Sequence, residues 1–382
     1  MNAQYTVSIF VSHFVPGWKA GGPIRTVLEM IRTAPPGLRL TIITSDRDLG
    51  DTKPYPDLNS RKTILHGARV LYTNWRSPRN AFHTILGEIK KNPDLVILNS
   101  FFALRSSTLP IILRSVGALR GNLAIGPRGE FSPGAISIKS RKKLFYIKVM
   151  RHSPAVRHAT WIATSELEES DIKRIFPEAR VVVVPDSRGT IPSGAISEAA
   201  KPVRLVFLSR VSPKKNLSGA LFALQNVPPD FPVRFDIYGT IEDRAYWAEC
   251  ERAISRLPDH VKASYKGEVR PDQTLSVFAN YDAFLFPTRG ENFGHVIHEA
   301  LSQGCPLIIT DTTPWSGLIV RGGGILCSEA SDIAAAVERI AMEDAEERTH
   351  RKQMTHQAYS DWWIENGLTS SPPLELILKA TR

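Results

Sequence analysis

The feature that most restricts the fold is the alternation, along most of the chain, of short apolar segments with longer amphipathic segments. The short segments have the length of buried strands, and several of the longer ones repeat their apolar residues at helical spacing. Strands separated by helices indicate parallel sheets with crossover helices. The candidate strands are residues 6–11, 40–44, 69–72, 95–98, 123–125, 161–163, 181–184, 204–208, 234–238, 263–266, 283–286, 307–309 and 324–326. The candidate helices include residues 23–31, 166–175, 218–224, 244–257, 274–279 and 296–302.

An irregular segment, residues 185–202, interrupts the alternation and is rich in Pro, Gly, Ser and Ala. Such a composition is typical of an interdomain linker. We therefore predict a Rossmann-like domain over residues 1–185, a linker over 186–202, a second Rossmann-like domain over 203–350, and a helical segment over 351–382 that packs back on the first domain. The expected fold class is α/β, with two doubly wound parallel-sheet domains that face a cleft at the carboxyl ends of their strands.

Length and composition exclude several classes of protein. None of the apolar runs in the 382 residues approaches the ~18 residues of a membrane span. The first 15 residues lack a basic region and their apolar stretch has the pattern of a strand, so we expect no signal peptide. Three scattered cysteines, Cys250, Cys305 and Cys327, favour a reducing compartment and no disulfide framework. These features predict a cytoplasmic protein.

The formal net charge of +10 is concentrated in one stretch of the chain. Residues 128–157 carry eight Lys or Arg and a single acid, and apolar residues interleave with the basic ones. A basic amphipathic helix of this kind can lie on an anionic membrane surface or bind phosphates. A solvated helix face with its apolar side in the core is the first alternative that explains the pattern, and nucleic-acid binding is the weaker one. The candidate membrane patch comprises Lys139, Arg141, Lys142 and Lys143.

The strongest chemical signal lies in residues 284–313, where an apolar strand ends at Pro287 and a helix is expected to begin near Asn292 or Phe293. Glu291 lies at the start of this helix, and Glu299 lies about two turns further on. The free N–H groups at a helix start favour an anion, and Gly294 allows a ligand to approach closely. A carboxylate such as Glu299 can accept hydrogen bonds from vicinal hydroxyls. The alternative is an ordinary crossover helix with a solvated glutamate.

A second signal lies in residues 205–217, where Arg210 and Lys215 follow a strand that ends at Ser209. Cations at the carboxyl end of a parallel strand are placed to neutralise a diphosphate. Lys214 is the nearest competitor for the role of Lys215, and surface charges beside a proline turn are the structural alternative.

Two further loops follow strands in the first domain. Gly21 and Gly22 lie between the first strand and the first helix, where they can bring backbone close to a phosphate or sugar. The loop does not match G-x-G-x-x-G, so nicotinamide binding is disfavoured and a plain turn stays open. His13, in the same loop, is either an acid–base group or a loop histidine. Arg128 and Glu130 follow the strand at 123–125 and are candidates for the acceptor side, a structural turn being the alternative.

Together these segments resemble the retaining glycosyltransferases of family 4, which have the GT-B fold of two Rossmann-like domains. The resemblance covers nearly the whole chain and rests on Gly21-Gly22, on Arg210 and Lys215 in SRVSPKKN, and on Glu291 and Glu299 separated by seven residues. The segment PRGEFSPGAISIKSRKK, which begins at Pro127, resembles a branch that builds bacterial surface polysaccharides such as exopolysaccharide or lipopolysaccharide.

The resemblance implies transfer of a sugar from a UDP- or GDP-sugar to a glycan or polyprenyl-linked acceptor, with retention of anomeric configuration. Arg210 and Lys215 would hold the diphosphate, Glu299 the ribose, and Glu291 the donor sugar. Backbone N–H groups at residues 292–294 would meet sugar or phosphate oxygens. It implies no metal and no cofactor. The family often has a histidine after the fourth strand of the first domain, where this chain has Asn99-Ser100.

Three alternatives remain open at this point. A metal-dependent transferase of the other main glycosyltransferase fold could use Asp46 and Asp48, which flank Arg47. A nucleotide-sugar epimerase could share the fold and the donor site. A non-catalytic module that binds membrane or nucleic acid would explain the basic stretch but would leave the two glutamates and two cations without a role. We expect no nucleic-acid partner, and we expect a cytoplasmic enzyme resting on the inner face of the cytoplasmic membrane.

Overall fold

The computed structural model describes residues 5–56, 58, 62–137, 140–186, 201–366 and 371–381. The chain divides into two compact units. The first comprises Met1–Ser187 together with Ser371–Arg382, and the second comprises Arg188–Ser370. Each unit is a sheet covered by helices, which is the arrangement that the strand–helix alternation predicts.

The first unit is built on an eight-stranded sheet. Its strands are β1 (Tyr5–Phe10), β2 (Leu38–Ser45), β3 (Lys62–Leu65), β4 (Ala68–Thr73), β5 (Leu95–Leu98), β6 (Asn122–Ile125), β7 (Thr160–Ala163) and β8 (Arg180–Val183). Its helices are α1 (Gly22–Arg32), α2 (Pro78–Ile89), α3 (Leu109–Ser115), α4 (Pro133–Ser137), α5 (Ser140–Met150), α6 (Pro154–Arg157), α7 (Glu166–Ile175) and, from the end of the chain, α15 (Pro373–Thr381), with a π-helical turn at Leu104–Thr108.

The strand order in this sheet is β3-β4-β2-β1-β5-β6-β7-β8. All neighbours are parallel except β3 and β4, which form an antiparallel hairpin at the edge. β3 is not among the strands predicted from the sequence, so this antiparallel edge strand is an addition to the expected parallel sheet. Central strands such as β5 have every residue buried because helices cover both faces. Leu374 and Ile377 of α15 pack into the same core.

The second unit is built on a six-stranded, entirely parallel sheet in the order β11-β10-β9-β12-β13-β14. Its strands are β9 (Val203–Leu208), β10 (Val233–Tyr238), β11 (Val261–Gly267), β12 (Ala283–Phe286), β13 (Leu307–Thr310) and β14 (Ile325–Cys327). Its helices are α8 (Leu217–Leu224), α9 (Arg244–Ile254), α10 (Thr274–Ala279), α11 (His295–Ser302), α12 (Ser316–Arg321), α13 (Ala330–Met342) and α14 (Ala345–Asn366).

Each sheet has one reversal point, at which two neighbouring strands are followed by connections that run in opposite directions across the sheet. In the first unit the reversal lies between β1 and β5, and in the second it lies between β9 and β12. The loops that leave the two strands at such a reversal diverge to opposite faces and leave a crevice, in which open α/β sheets bind ligands. The topology therefore places one candidate ligand edge in each unit.

The fold class is confirmed: two α/β units with doubly wound sheets. The C-terminal segment 351–382 divides between them, because α14 lies in the second unit and α15 in the first. Most of the expected linker lies outside the described residues. None of the helices in the described ranges combines the length and apolar character that a bilayer-spanning segment needs.

Candidate active site

The candidate donor edge of the second unit is formed by the loops that follow β9 and β12. These strands are parallel neighbours, with Phe284 opposite Val206, so their carboxyl ends meet at one edge. The side-chain amide of Asn216 donates to the carbonyl of Pro287 at 2.9 Å, and the N–H of Arg289 donates to the carbonyl of Lys214 at 2.9 Å. These two bonds hold the cationic loop against the loop that carries Glu291.

An ion pair between Lys215 and Glu291 lies at the centre of this edge. Lys215 Nζ is 2.6 Å from Glu291 Oε1, and the two side chains are 10% and 9% exposed. Thr288 Oγ1 donates to the same carboxylate oxygen at 2.9 Å, and the N–H of Glu291 donates to the carbonyl of Thr312 at 3.2 Å. Residues 76 positions apart are thus brought into contact by the strand order.

Burial and neighbouring charges shift the pKa of both groups in this pair. Burial by itself raises the pKa of the Glu291 carboxyl, but the Lys215 and Lys214 charges outweigh burial and hold this pKa below its usual range. Burial also lowers the pKa of the Lys215 ammonium; Glu291 opposes that shift, while the charges of Lys214 and Arg210 add to it. Two lysine charges therefore act on the one carboxylate of Glu291, an excess of positive charge that favours an anionic ligand.

Arg210 lies on the same loop but is not in contact with the ion pair. Its guanidinium binds the Glu242 carboxylate at 2.8 Å, and both side chains are more than a third exposed. Exposed ion pairs contribute little to stability, so this contact is easily exchanged for a ligand. Arg210 can therefore turn towards an anion at the edge without a large loss to the fold.

The segment after Glu291 differs from the sequence expectation in one respect. Helix α11 begins at His295 rather than near Asn292 or Phe293, because Gly294 adopts a left-handed conformation with φ of 76° and acts as the N-cap. Phe293 is buried against Trp315, with ring centroids 5.2 Å apart. The side-chain oxygen of Asn292 is buried and has no hydrogen-bond partner in the described part of the chain.

Glu299 lies in α11 and is buried, with 7% of its surface exposed. It is thus not a solvated glutamate on an outer helix face. On the same helix, His298 Nε2 lies 2.6 Å from the hydroxyl of Tyr359 in α14. α11 is therefore fixed from its other side by the long helix α14, which gives Glu299 a rigid support.

The candidate residues near the first strand of the first unit lie in the loop after β1. His13 Nδ1 lies 3.2 Å from the carbonyl of Arg47. Gly21 has φ of 70° and is the N-cap of α1, which begins at Gly22. The rival metal residues are engaged within this loop region: Asp46 binds Arg47 at 2.7 Å, and Asp48 accepts the N–H of Trp18 at 2.9 Å.

Arg128 belongs to a buried polar network that the sequence did not reveal in full. Its guanidinium binds Asp186 at 2.9 Å and Asn99 Oδ1 at 2.6 Å, and its Nη2 is buried without a hydrogen-bond partner among the described residues. Burial raises the pKa of Glu168, and the Arg128 charge opposes that shift. Asn99 is the first residue after β5, and this position is the one signal that could have identified it.

Glu130, the other acceptor-side candidate, is engaged within the first unit. Its carboxylate accepts hydrogen bonds from Ser100 Oγ at 2.6 Å and from the N–H groups of Phe101 and Phe102 at 2.6 and 3.2 Å. Burial raises its pKa, and these donors oppose the shift. The structure thus places Glu130 where it holds the turn after β5.

The basic stretch forms α5, whose bases are not equivalent. Lys143 donates to the carbonyl of Ala135 at 2.5 Å and lies over the ring of Phe102, whereas Arg141 and Lys142 are exposed. Lys139 lies outside the described residues. Three large apolar side chains of α5 are also exposed to solvent; they are Leu144, Phe145 and Val149. The helix thus presents apolar and cationic groups together.

Comparison with known protein families finds one matching model. Residues 191–361 match the family described as glycosyl transferases group 1. A UDP-N-acetylglucosamine–peptide N-acetylglucosaminyltransferase GtfA subunit of Streptococcus pneumoniae is 28% identical over 152 residues, or 37% of this chain and 29% of that protein. An O-antigen chain mannosyltransferase B of Escherichia coli is 28% identical over 135 residues, or 34% of each chain. The matches thus span about a third of the length of these relatives.

Solved structures resemble the whole chain at low sequence identity. A sucrose-phosphate synthase of Thermosynechococcus elongatus has a TM-score of 0.74 at 16% identity and covers 98% of this chain and 100% of its own. Anabaena HepE in complex with UDP-glucose has a TM-score of 0.69 at 16% identity. WaaG, a glycosyltransferase involved in lipopolysaccharide biosynthesis, has a TM-score of 0.65 at 15% identity. Each of these two matches covers 98% of this chain and 98% of the other. The resemblance to GT-B glycosyltransferases is confirmed.

Proposed function

We propose that this chain is a retaining glycosyltransferase of family 4 that moves a sugar from a nucleoside-diphosphate sugar to a glycan or polyprenyl-linked acceptor, in the synthesis of a bacterial surface polysaccharide. The observation that carries the proposal is the buried Lys215–Glu291 pair at the reversal point of the second sheet, with further cations beside it. Group 1 glycosyl transferases match this region, and a solved structure of the same fold holds UDP-glucose.

In the proposed reaction the bond between the anomeric carbon and the diphosphate oxygen breaks, and the nucleoside diphosphate leaves with an additional negative charge. Lys215 and Arg210 stabilise that charge as it develops, which is an electrostatic contribution to catalysis. Glu291 positions Lys215 and binds hydroxyls of the donor sugar. The acceptor hydroxyl bonds to the anomeric carbon on the face that the diphosphate leaves, and its proton passes to the departing diphosphate oxygen.

The nucleoside is held further along α11. We assign the ribose hydroxyls to Glu299, because a buried carboxylate on a rigid helix can accept two hydrogen bonds in a fixed geometry. The N–H groups of residues 292–294 precede the helix and are placed for sugar or phosphate oxygens. We infer that these cations and N–H groups neutralise the diphosphate without a metal ion.

The acceptor is assigned to the first unit, where His13, Gly21, Gly22 and the Arg128 network lie at the carboxyl edge of the sheet. We further propose that the enzyme is cytoplasmic and rests on the inner face of the cytoplasmic membrane through α5. The exposed Phe145 and the neighbouring bases of this helix fit an anionic interface.

Calorimetric titration with UDP- and GDP-sugars in the presence of EDTA tests the proposal. We expect one nucleotide sugar to bind the native chain, and Lys215→Ala to weaken it at least tenfold, since a charge-assisted contact to phosphate is lost. Lys262→Ala is the control, because it removes an exposed lysine at the start of β11 rather than at the carboxyl edge of the sheet, and it should bind within about threefold of the native chain. Absence of binding to every donor would refute the proposal, and binding only after a divalent cation is restored would refute metal independence.

A second assay separates transfer from epimerisation. The bound donor is incubated with and without a glycan acceptor, and the nucleotide sugar is then analysed. A transferase consumes the donor when acceptor is present, whereas conversion of the nucleotide sugar alone would identify an epimerase on the same fold.

A further inference from the structure

Two depressions in the first unit share part of their lining and differ in polar content. One, of about 500 Å³, is lined mainly by apolar groups, among them Phe82, Leu109 and Ile112. The other, of about 420 Å³, has a larger share of polar groups, among them His13 and Arg76. Leu104 and Arg105 line both depressions, so the two adjoin, and together they are called the groove below.

The apolar end of this groove exposes large side chains to water. Leu104 is 70% exposed, and Phe82 and Ile112 are also exposed. A cluster of exposed apolar side chains around a depression marks a ligand or interaction site more often than single exposed residues do. Leu104 and Arg105 reach the groove from the π-helical turn that precedes α3, an element that is frequent at functional sites.

The polar end of the groove keeps donors that the described residues do not use. Arg105 makes no hydrogen bond or ion pair with any described residue, in contrast to Arg47, which binds Asp46. The indole N–H of Trp75, which also lines this end, is buried and has no acceptor in the described part of the chain.

The acids at this end already have partners within the first unit. Asp51 binds Lys19 at 2.9 Å, and Asp48 accepts hydrogen bonds from the N–H groups of Trp18 and Lys19 at 2.9 and 3.2 Å. The donors that remain, Arg105 and Trp75, therefore favour an anionic group that brings its own acceptor oxygens.

We propose that this groove binds the lipid end of the acceptor, a polyprenyl diphosphate, with the hydrocarbon chain between Phe82 and Ile112 and the diphosphate at Arg105 and Trp75. The inference rests on the proposed function, because a sugar acceptor linked to such a lipid presents an apolar chain and a diphosphate in immediate succession. That succession matches the order of the two depressions along the groove.

The test uses the full chain and geranylgeranyl diphosphate, a soluble polyprenyl diphosphate, below its micelle concentration. Calorimetry should show binding that Arg105→Gln weakens at least tenfold, through loss of a charge-assisted contact, and that Ile112→Gln weakens about tenfold, through loss of apolar burial. Arg120→Gln and Val116→Gln are matched controls; both residues are exposed and neither lines the groove. Each control should bind within about twofold of the native chain.

Two further probes separate the sources of affinity. Inorganic diphosphate should bind at least tenfold more weakly than the isoprenoid; equal binding would overturn the role of the apolar depression. A lysophosphatidic acid should also bind more weakly, and equal or tighter binding would overturn the polyprenyl assignment in favour of a membrane phospholipid. Equal affinity of native and Arg105→Gln chains for geranylgeranyl diphosphate would overturn the site itself.

Failure of this site and failure of the proposed function give different results. If the native chain binds the isoprenoid with the expected variant pattern but never transfers a sugar, the groove stands and the transferase assignment falls. If sugar transfer proceeds but lipid affinity does not respond to Arg105→Gln or Ile112→Gln, the transferase stands and the groove is not its lipid site.

Discussion

At the scale of single residues, the buried ammonium of Lys215 would be unfavourable without a partner, since burial lowers its pKa. Glu291 offsets that penalty, and Thr288 fixes the carboxylate from another side. Removing one member of a buried pair is costly because it leaves the other charge uncompensated. The pair is therefore a structural contact that stabilises the fold of the second unit.

Glu291→Gln should lower the free energy of unfolding of the second unit by about 3 kcal/mol at pH 7, because Lys215 then stays buried without a carboxylate. The pKa of Glu291 in the fold lies below its ordinary 4.5. Its ionisation thus stabilises the fold above about pH 4.5, and this contribution is lost as the pH falls through the lowered pKa. The difference in free energy of unfolding between the native chain and the variant should become smaller in that acidic range. Urea unfolding at several pH values measures it.

Glu242→Gln provides the control, because Glu242 forms the exposed pair with Arg210. Exposed pairs contribute at most about 1 kcal/mol to stability, so the free energy of unfolding of this variant should stay close to that of the native chain at every pH. If Glu291→Gln and Glu242→Gln lose the same free energy of unfolding at pH 7, or Glu291→Gln loses less, the account of the buried pair is contradicted.

Sequence reasoning identified Arg210, Lys215 and Glu291 as candidates because each follows the end of an apolar strand, where loops of α/β sheets bind ligands. It did not identify Asp186 as the partner of Arg128, since that contact joins residues 58 positions apart. A contact of this kind depends on strand order, and a single sequence carries no local sign of it.

At the scale of elements, the conformation of Gly294 sets where α11 begins at the edge of the second sheet. Gly294 turns the chain in a left-handed conformation, so the helix starts three residues after Asn292. A side chain at this position would strain the backbone, and its Cβ would lie 2.8 Å from Ile297 Cδ1. The glycine is therefore needed for the turn.

Gly294→Ala should destabilise the second unit by about 1–2 kcal/mol, the usual penalty of a left-handed residue with a Cβ. It should also weaken nucleotide-sugar binding, because the added methyl group lies at the start of α11. Gly317→Ala in α12 is the control, since its Cβ would meet no atom within 4 Å. Thermal unfolding and calorimetry measure both effects, and equal stability of the two variants would contradict the role assigned to Gly294.

Helix α5 supports a second prediction at this scale. Replacing Arg141, Lys142 and Lys148 by Gln should weaken binding to anionic vesicles by roughly a hundredfold, at about 1 kcal/mol per basic residue near the surface. Lys143 is left unchanged because it holds Ala135 and Phe102 within the fold. Vesicle sedimentation at fixed ionic strength provides the measurement.

The control for that prediction replaces Arg252, Arg256 and Lys262, three exposed bases of the second unit, by Gln. It removes the same charge from a different surface. If both triple variants lose vesicle binding equally, the effect is one of net charge, and α5 is a solvated helix face.

Strands with a continuous buried run could be predicted from the sequence, whereas two short elements of the first unit were missed. β5 and β12 are buried along their whole length and were identified. β3 was missed because it is a short edge strand whose Ile64 is exposed, so it shows no buried run. The π-helical turn was missed because its apolar Leu104 points to solvent rather than to the core.

At the scale of the whole molecule, each unit repeats one plan, in which a strand order that reverses once creates one ligand edge. The alternation of strands and helices predicted this plan, since few other folds place a helix between almost every pair of strands. The division of the C-terminal segment between the units could not be predicted from that alternation. It depends on the packing of Leu374 and Ile377 into the hydrophobic core of the first unit, which is a contact between residues far apart in the sequence.

The central claim is that the Lys215–Glu291 edge performs glycosyl transfer, and the turnover of Lys215→Ala tests it most directly. Transfer from the bound nucleotide sugar to a glycan acceptor is measured for the native chain, for Lys215→Ala and for the exposed-lysine control Lys262→Ala, with circular dichroism to establish that each is folded. Loss of the buried cation should lower kcat by about 10²–10³, the effect of removing one electrostatic stabiliser, while Lys262→Ala retains most activity. Near-native turnover of folded Lys215→Ala would contradict the assignment.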